Sequence, residues 1–220
     1  MKSFFKNKKI VKAGFTLVEL LITLSIFAVT TTIVMFSQSQ FDNSVILTNL
    51  AYDVAVTLRQ AQTYGVNVKE FVPASGARGF YPYGIFFSTS DIRDYIMFAD
   101  ATGGHYENGS YVGDNLYESA DMSCPSSDPE CVNRYSIKNG NYIYSICAGS
   151  SDGDCNTNAP STGRLMISFN RPESDAKIFW VSTTGSLSAQ QSYAKIVVSS
   201  SNGASRKSII VTGTGQIYVK

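Results

Sequence analysis

One carboxylate stands where a charge is hard to accommodate. Glu19 is the only charged residue in the 22-residue run Phe15–Phe36, which otherwise holds Leu, Ile, Val, Phe, Ala, Met, Thr and Ser. As a helix this run would rise about 33 Å, the thickness of a bilayer core. An acid at the centre of such a helix costs about 2.5–3.5 kcal/mol, and less near an end. An intramembrane acid is a functional residue by default, with a partner to be found. Glu19 also falls in the first turn, where a negative charge stabilises its own helix by about 0.3–1 kcal/mol. Both uses stand open, and they are compatible. Before the run, residues 1–14 carry five lysines (Lys2, Lys6, Lys8, Lys9 and Lys12) and no acid. A basic flank of this kind keeps its end of a membrane helix in the cytoplasm.

Other residues with chemistry are fewer. The four cysteines are Cys124, Cys131, Cys147 and Cys155. An even count suits an exported, disulfide-bonded domain. Three pairings are open, and the two local ones, Cys124–Cys131 and Cys147–Cys155, are favoured. Each would close a loop of about eight residues, worth roughly 2.5 kcal/mol on the chain-entropy view. Free buried thiols are the alternative. A metal site is disfavoured, because there is no C-x-x-C pair and the single histidine, His105, lies apart from the cysteines. Asp152, Asp154 and Asn156 place oxygen ligands at every second position, as the start of a calcium loop does. The expected glycine at the sixth position is missing, Gly163 occupies the place of the bidentate acid, and a polar turn is the plainer reading. No phosphate loop, nucleophile elbow or metal-binding helix is present. The sequence thus predicts neither an enzyme nor a bound cofactor.

The elements that must position these residues are legible in outline. No proline interrupts Phe15 to Val72. Beyond the apolar run, Leu47, Leu50, Val54, Leu58 and Ala61 recur at helical spacing, with Asn49, Asp53, Arg59 and Gln60 elsewhere. One helix of about 50 residues is expected, apolar all round and then amphipathic, with Gly65 as its C-cap. After Phe71 the pattern becomes strands and turns: Tyr83–Ser88, Asp94–Ala99, Arg164–Phe169, Lys177–Val181, Lys195–Ser199, Lys207–Thr212 and Gln216–Val219. Tyr135–Lys138 and Asn141–Cys147 flank Asn139-Gly140, a strong hairpin signal. Residues 100–133 and 148–163 read as long polar loops. The fold class is α+β, a long N-terminal helix packed on a mostly antiparallel sheet head. The expected divisions are 1–14, 15–36, 37–66 and 67–220.

Charge adds one exclusion. Beyond residue 14, thirteen basic side chains face seventeen acidic ones, a formal charge near −4. Generic attraction to nucleic acid is not expected of such a surface. A cleavable secretory signal ending at Ser37-Gln38-Ser39 is a poor fit, because the apolar run exceeds the usual 7–15 residues. A plain membrane anchor is compatible with the composition, but it leaves Glu19 without a use.

Lys12-Ala-Gly14-Phe15-Thr-Leu-Val-Glu19-Leu-Leu21 closely resembles the cleavage and methylation motif of type IV prepilins. The resemblance implies that a prepilin peptidase cuts between Gly14 and Phe15 and that Phe15 is N-methylated. It also implies that Glu19 pairs with the new amine of a neighbouring subunit during filament assembly. The segment Asn49–Gly65, Tyr83-Gly84-Ile85, Phe169-Asn-Arg-Pro172 and the closing hairpin from Ala194 to Val219 resemble GspH/FimT-type minor pilins. Such proteins work at or near filament tips of type IV pili or type II secretion pseudopili. The implied partners are other pilins or pseudopilins, the peptidase, an inner-membrane assembly platform and lipid. The implied location is the inner membrane, single-pass with the head outside, and then an extracytoplasmic filament. A tip module that binds DNA, a surface or an exported protein is the alternative. Some relatives bind DNA through basic residues near the terminal hairpin, but Gly215-Gln-Ile-Tyr218 lacks arginine and leaves only Arg206, Lys207 and Lys220 nearby.

Overall fold

The computed structural model describes residues 14–67, 69–74, 76, 78–107, 110–119, 122–157 and 162–220. The side chains of 36–43, 106, 107, 110, 111, 156 and 157 are excluded, and the leader lysines lie outside the described residues. The chain divides into two compact units, Met1–Asp42 and Asn43–Lys220. In chain order the elements are α1 (Leu17–Val66), β1 (Glu70–Phe71), β2 (Gly79–Phe80), β3 (Tyr83–Ser88), β4 (Asp94–Ala99), β5 (His105–Glu107) and β6 (Ser110–Val112). They continue with β7 (Cys131–Ser136), β8 (Tyr142–Gly149), α2 (Asp152–Thr157), β9 (Gly163–Phe169), β10 (Ala176–Ser182), β11 (Tyr193–Ser199), β12 (Arg206–Thr212) and β13 (Ile217–Val219). The architecture is α+β.

In the first unit, Leu17–Met35 has a mean hydropathy of 2.2, is long enough to cross a membrane, and has none of its residues buried. Its polar side chains are satisfied within the helix. The hydroxyls of Thr23, Ser25, Thr30, Thr31 and Thr32 donate to the carbonyls of Leu20, Leu21, Ile26, Phe27 and Ala28 at 2.7–2.9 Å. Backbone bonding of this kind removes the penalty that an unpaired hydroxyl would carry in hydrocarbon.

In the second unit, α1 buries Leu47, Ala51, Val54, Ala55, Leu58 and Ala61. These residues lie on one face at helical spacing. They join Ile85, Phe87, Met97, Leu165 and Ile167 from one sheet, and Ile196, Val198, Ile209 and Val211 from another, in a single core. The first sheet has the order β10-β9-β3-β4-β7 and the second β13-β12-β11-β8; β1-β2 and β5-β6 form two-stranded pairs. Every strand pairing is antiparallel. All residues of β3 and β4 are buried, so this sheet is covered on both faces. Phe86, Ile96, Phe98 and Met166 form a second cluster with Tyr117 and Met122 from the segment between β4 and β7.

Three expectations are corrected. Asn139 and Gly140 do adopt the paired positive φ values, 60° and 73°, of a tight turn, and the Asn141 amide donates to the Lys138 carbonyl at 3.3 Å. The flanking strands nevertheless do not form a hairpin: β7 pairs with β4, while β8 pairs with β11 in the other sheet. The chain entering β4 separates them, since the Ile137 amide donates to Arg93 and the Ile143 amide to Ile92, both at 2.7 Å. The polar stretch 100–133 also contains the β5–β6 hairpin and the start of β7.

Gly65 is not a C-cap. It lies inside α1, which continues to Val66. Its role is steric, because a Cβ there would run into the carbonyl oxygen of Phe169 at the end of β9. Gly65→Ala is therefore expected to destabilise the head by about 1–3 kcal/mol, the usual cost of overpacking, with helix content retained. The measurement is the denaturant midpoint of the purified protein against wild type. An unchanged midpoint would mean that β9 yields freely.

Candidate functional site: the N-terminal motif

Helix α1 begins at Leu17, which makes Thr16 the N-cap and Glu19 the third helical residue. This is the spacing of a capping box, Thr-x-x-Glu, in which each side chain satisfies an amide of the other residue. The Glu19 amide donates to Thr16 Oγ1 at 3.2 Å. The Thr16 amide and hydroxyl donate to Glu19 Oε2 at 3.2 and 3.1 Å. Two amides that no helical carbonyl can reach are thereby paired, and the carboxylate is held where the helix dipole favours it. The part played by Thr16 was present in the sequence as that four-residue pattern. A reading of Glu19 as a charge alone passes over its hydrogen-bonding part.

The bond between Gly14 and Phe15 precedes this cap, in non-helical backbone. Phe15 is 76% exposed, and a Cβ built on Gly14 would meet no atom within 4 Å. The bond therefore stands outside the helix ladder. Cleavage there would leave both Thr16 and Glu19 in place, so the box belongs to the cut chain as much as to the uncut one.

The remaining candidates are dispersed over the head. Cys124 pairs with Cys131 and Cys147 with Cys155, with Cα–Cα distances of 5.6 and 5.7 Å. The calcium-loop reading of Asp152, Asp154 and Asn156 does not fit the geometry. Asp152–Thr157 is the short helix α2, and residues two apart on a helix point to nearly opposite sides. Asp152 Oδ1 instead accepts from Lys195 Nζ at 2.9 Å and from Tyr193 Oη at 3.0 Å. Asp154 Oδ2 accepts from the Ser150 amide at 2.8 Å, and the Ser150 hydrogen bonds hold the Asp154 carboxyl below its ordinary pKa. The side chain of Asn156 lies outside the described residues. Among those described, no group of three or more His, Cys, Asp or Glu is arranged to hold a metal ion. His105 is exposed on β5. Of the basic residues of the terminal hairpin, Arg206 lies over the Tyr144 ring at 3.6 Å, and Lys220 is exposed and pairs through its backbone with Ser208.

Residues 11–35 match the prokaryotic N-terminal methylation motif. No curated protein and no solved structure matched the chain. The motif is consistent with a type IV prepilin-like protein and points to the type IV pilin or pseudopilin class. It suggests a structural, non-enzymatic protein. With the apolar helix it also suggests membrane anchoring.

The capping box makes its own prediction. Thr16→Ala removes the N-cap oxygen and should weaken the first turn by about 1 kcal/mol. Thr16→Ser keeps that oxygen and should not. Amide protection of Leu17 to Leu20 in membrane-mimetic solution is the measurement, and equal protection in both variants would exclude the box in that medium.

Proposed function

We propose that the chain is a minor pilin or pseudopilin of a type IV pilus or type II secretion machine. In this reading it is cut between Gly14 and Phe15 by prepilin peptidase, methylated at Phe15 and assembled through its N-terminal helix. The observation that carries the reading is the join at residues 11–35 of a basic leader, Gly14-Phe15 and Glu19 to an apolar helix of membrane length. The divisions follow from it: residues 1–14 are removed, 15–36 span the membrane and later the filament core, 37–66 continue into the head, and 67–220 form the head. Two disulfides suit a head outside the cytoplasm. The engaged Arg206 and the acidic balance beyond the leader weigh against DNA as the tip ligand.

The physical logic is an exchange of charges at the membrane boundary. Cutting removes the lysines that tether the helix to the cytoplasmic side and creates an amine on Phe15. A Glu19 carboxylate on the neighbouring subunit can pair with that amine. In a medium of low dielectric the attraction is large, and either charge left alone is penalised. One ion pair would thus favour docking and set axial register.

Mature protein is expected to begin at Phe15, with the mass of one added methyl group. Intact-mass analysis of membrane-extracted protein from cells with active prepilin peptidase decides this, and a start at Met1 or after Ser39 would refute it. Glu19→Ala should leave cleavage and insertion intact while lowering the ratio of sheared-filament to membrane-pool protein about tenfold or more, the loss expected when one buried partner goes unpaired. Glu19→Gln, which keeps shape without charge, should fail in the same way. A normal ratio for Glu19→Ala with cleavage complete would reduce Glu19 to a helix-end acid.

A further inference from the structure

The segment joining β4 to β7 is polar in sequence yet lies over apolar surface. Its Tyr117 ring packs 5.0 Å from Phe86 and 5.5 Å from Phe98, on the sheet face opposite the core shared with α1. The strap is tied to β7 by Cys124–Cys131. Elsewhere its polar attachments converge on carboxyl groups. Glu130, 1% exposed, accepts at Oε1 from the Ala101 and Thr102 amides at 3.0 and 2.9 Å, and at Oε2 from the Glu118 amide at 3.1 Å. Asp100 Oδ2 accepts from the Asn115 amide at 2.5 Å. Asp128 accepts from Tyr117 Oη at 2.6 Å.

Protons are needed to complete this arrangement. The Thr102 hydroxyl lies 2.7 Å from Glu118 Oε2 and 2.8 Å from Glu130 Oε1. A hydroxyl has one hydrogen to donate, so with Glu118 and Glu130 both ionised one of the two contacts has no proton. Glu118 also lies within hydrogen-bonding reach of Glu130 and of Asp114, contacts that two ionised carboxylates cannot make. Asp100 adds an independent sign. It is fully buried, and its Oδ1 has no hydrogen-bond partner, while the charges acting on it are those of Asp114, Glu130 and Glu118, all negative. The facing strand β9 contributes the neutral Ser168, which donates to Asn115 Oδ1 at 3.0 Å. The backbone is shaped around the cluster: a Cβ at Gly103 would run into the Glu118 and Asp114 carboxyls, and one at Gly113 into that of Asp100.

We propose that Asp100, Asp114 and Glu118, gathered around Glu130, form a proton-dependent clasp, which locks the strap over the apolar outer face of the five-stranded sheet while these three hold protons and loosens when they ionise. Protons rather than a cation are the ligand, because among the described residues these groups are not arranged to hold a metal ion. Burial, followed by the neighbouring carboxylates, pushes Asp100 up to about 8. Burial and the contact with Glu130 push Glu118, at the rim of the cluster, up to about 7. Both are acids with a folded-state pKa above the unfolded value, so between the two values the folded strap holds more protons than the unfolded chain. The stability they add is fully present below about pH 4, falls as pH rises, and is gone above about pH 8. Acid closes the strap and alkali loosens it, the reverse of an acid held by a basic partner. The proposal does not depend on the N-terminal motif.

The test is amide hydrogen exchange of the full chain between pH 6 and 9, expressed as protection factors so that the base catalysis of exchange itself is removed. The amides of Ala101, Thr102, Asn115 and Glu118 should lose about tenfold or more in protection relative to β11 and β12. Glu118→Gln still offers a donor to Glu130 but cannot ionise, and Asp100→Asn removes the other raised acid; each should lessen the loss at pH 9, and the double variant should lessen it most. A strap-to-sheet ratio that is flat with pH would overturn the proposal. So would the same loss in wild type and in both variants. Protection restored to wild type at pH 9 by millimolar calcium chloride would also overturn it, by making the cluster a cation site.

Discussion

The head depends on one stripe of one helix. Leu47, Val54 and Leu58 are almost completely buried along α1, on a segment whose other side carries Asn49, Asp53 and Arg59. Such a helix is too polar on one side for a bilayer and too apolar on the other for water. The two sheets share the complementary problem, since each presents an apolar inner face that the other does not fully cover. Stacking both against the stripe meets all three requirements at once. The small residues decide how close this packing is. Ala51, Ala55 and Ala61 leave room for sheet side chains, and Gly65 admits the backbone of β9 at a place where any Cβ would collide. Arg59 completes the far end by donating to the Ile217 carbonyl at 3.0 Å, which ties the helix to the last strand.

The five-stranded sheet then sets a second requirement. Because β3 and β4 are buried on both faces, the alternation of apolar and polar residues that marks a half-exposed antiparallel strand is absent. A sheet covered by a helix on one side needs another cover on the other, and here the cover is a polar strap with few apolar groups of its own. Tyr117 and Met122 supply its apolar contact. The rest of its attachment is local: a disulfide, and carboxylates that accept from backbone amides that would otherwise lack partners. Packing many acids close together serves those amides well and is unfavourable for the acids, so proton uptake becomes part of the fold.

Much of this was legible in the sequence, and the exceptions share a cause. The long helix, the central strands and the closing β11–β12 hairpin follow from periodicity and turn residues, which act over a few positions. Asn139-Gly140 shows the limit of local signals. Its backbone takes the turn conformation its residues favour, yet whether β7 and β8 pair is decided by Ile92 and Arg93, far away in sequence. Gly65 reads as a C-cap for the same reason, since its constraint is a strand more than one hundred positions later. The clasp could not be read at all, because Asp100, Asp114, Glu118 and Glu130 resemble ordinary surface acids until the strap folds back on itself. At the N-terminus the motif was plain from residue types and spacing, and only the hydrogen-bonding part of Thr16 went unread.

The capping box changes how Glu19 should be understood. A free glutamate has several rotamers, and fixing one costs up to about 1.5–2 kcal/mol. In this chain Thr16 fixes the carboxylate within its own first turn. Both bonds go to Oε2, and among the described residues Oε1 makes none. One carboxylate oxygen therefore serves the helix while the other remains free for an external cation. In the proposed filament, the amine of a neighbouring subunit would approach an acceptor already ordered, and less entropy would be lost on pairing. The same bonds lower the desolvation penalty of the acid before any neighbour arrives, because a hydrogen-bonded carboxylate is less penalised in a membrane than a bare one. Intramolecular capping and intermolecular pairing are thus not rival explanations of Glu19. In the proposed filament, the first would hold the carboxylate ordered for the second.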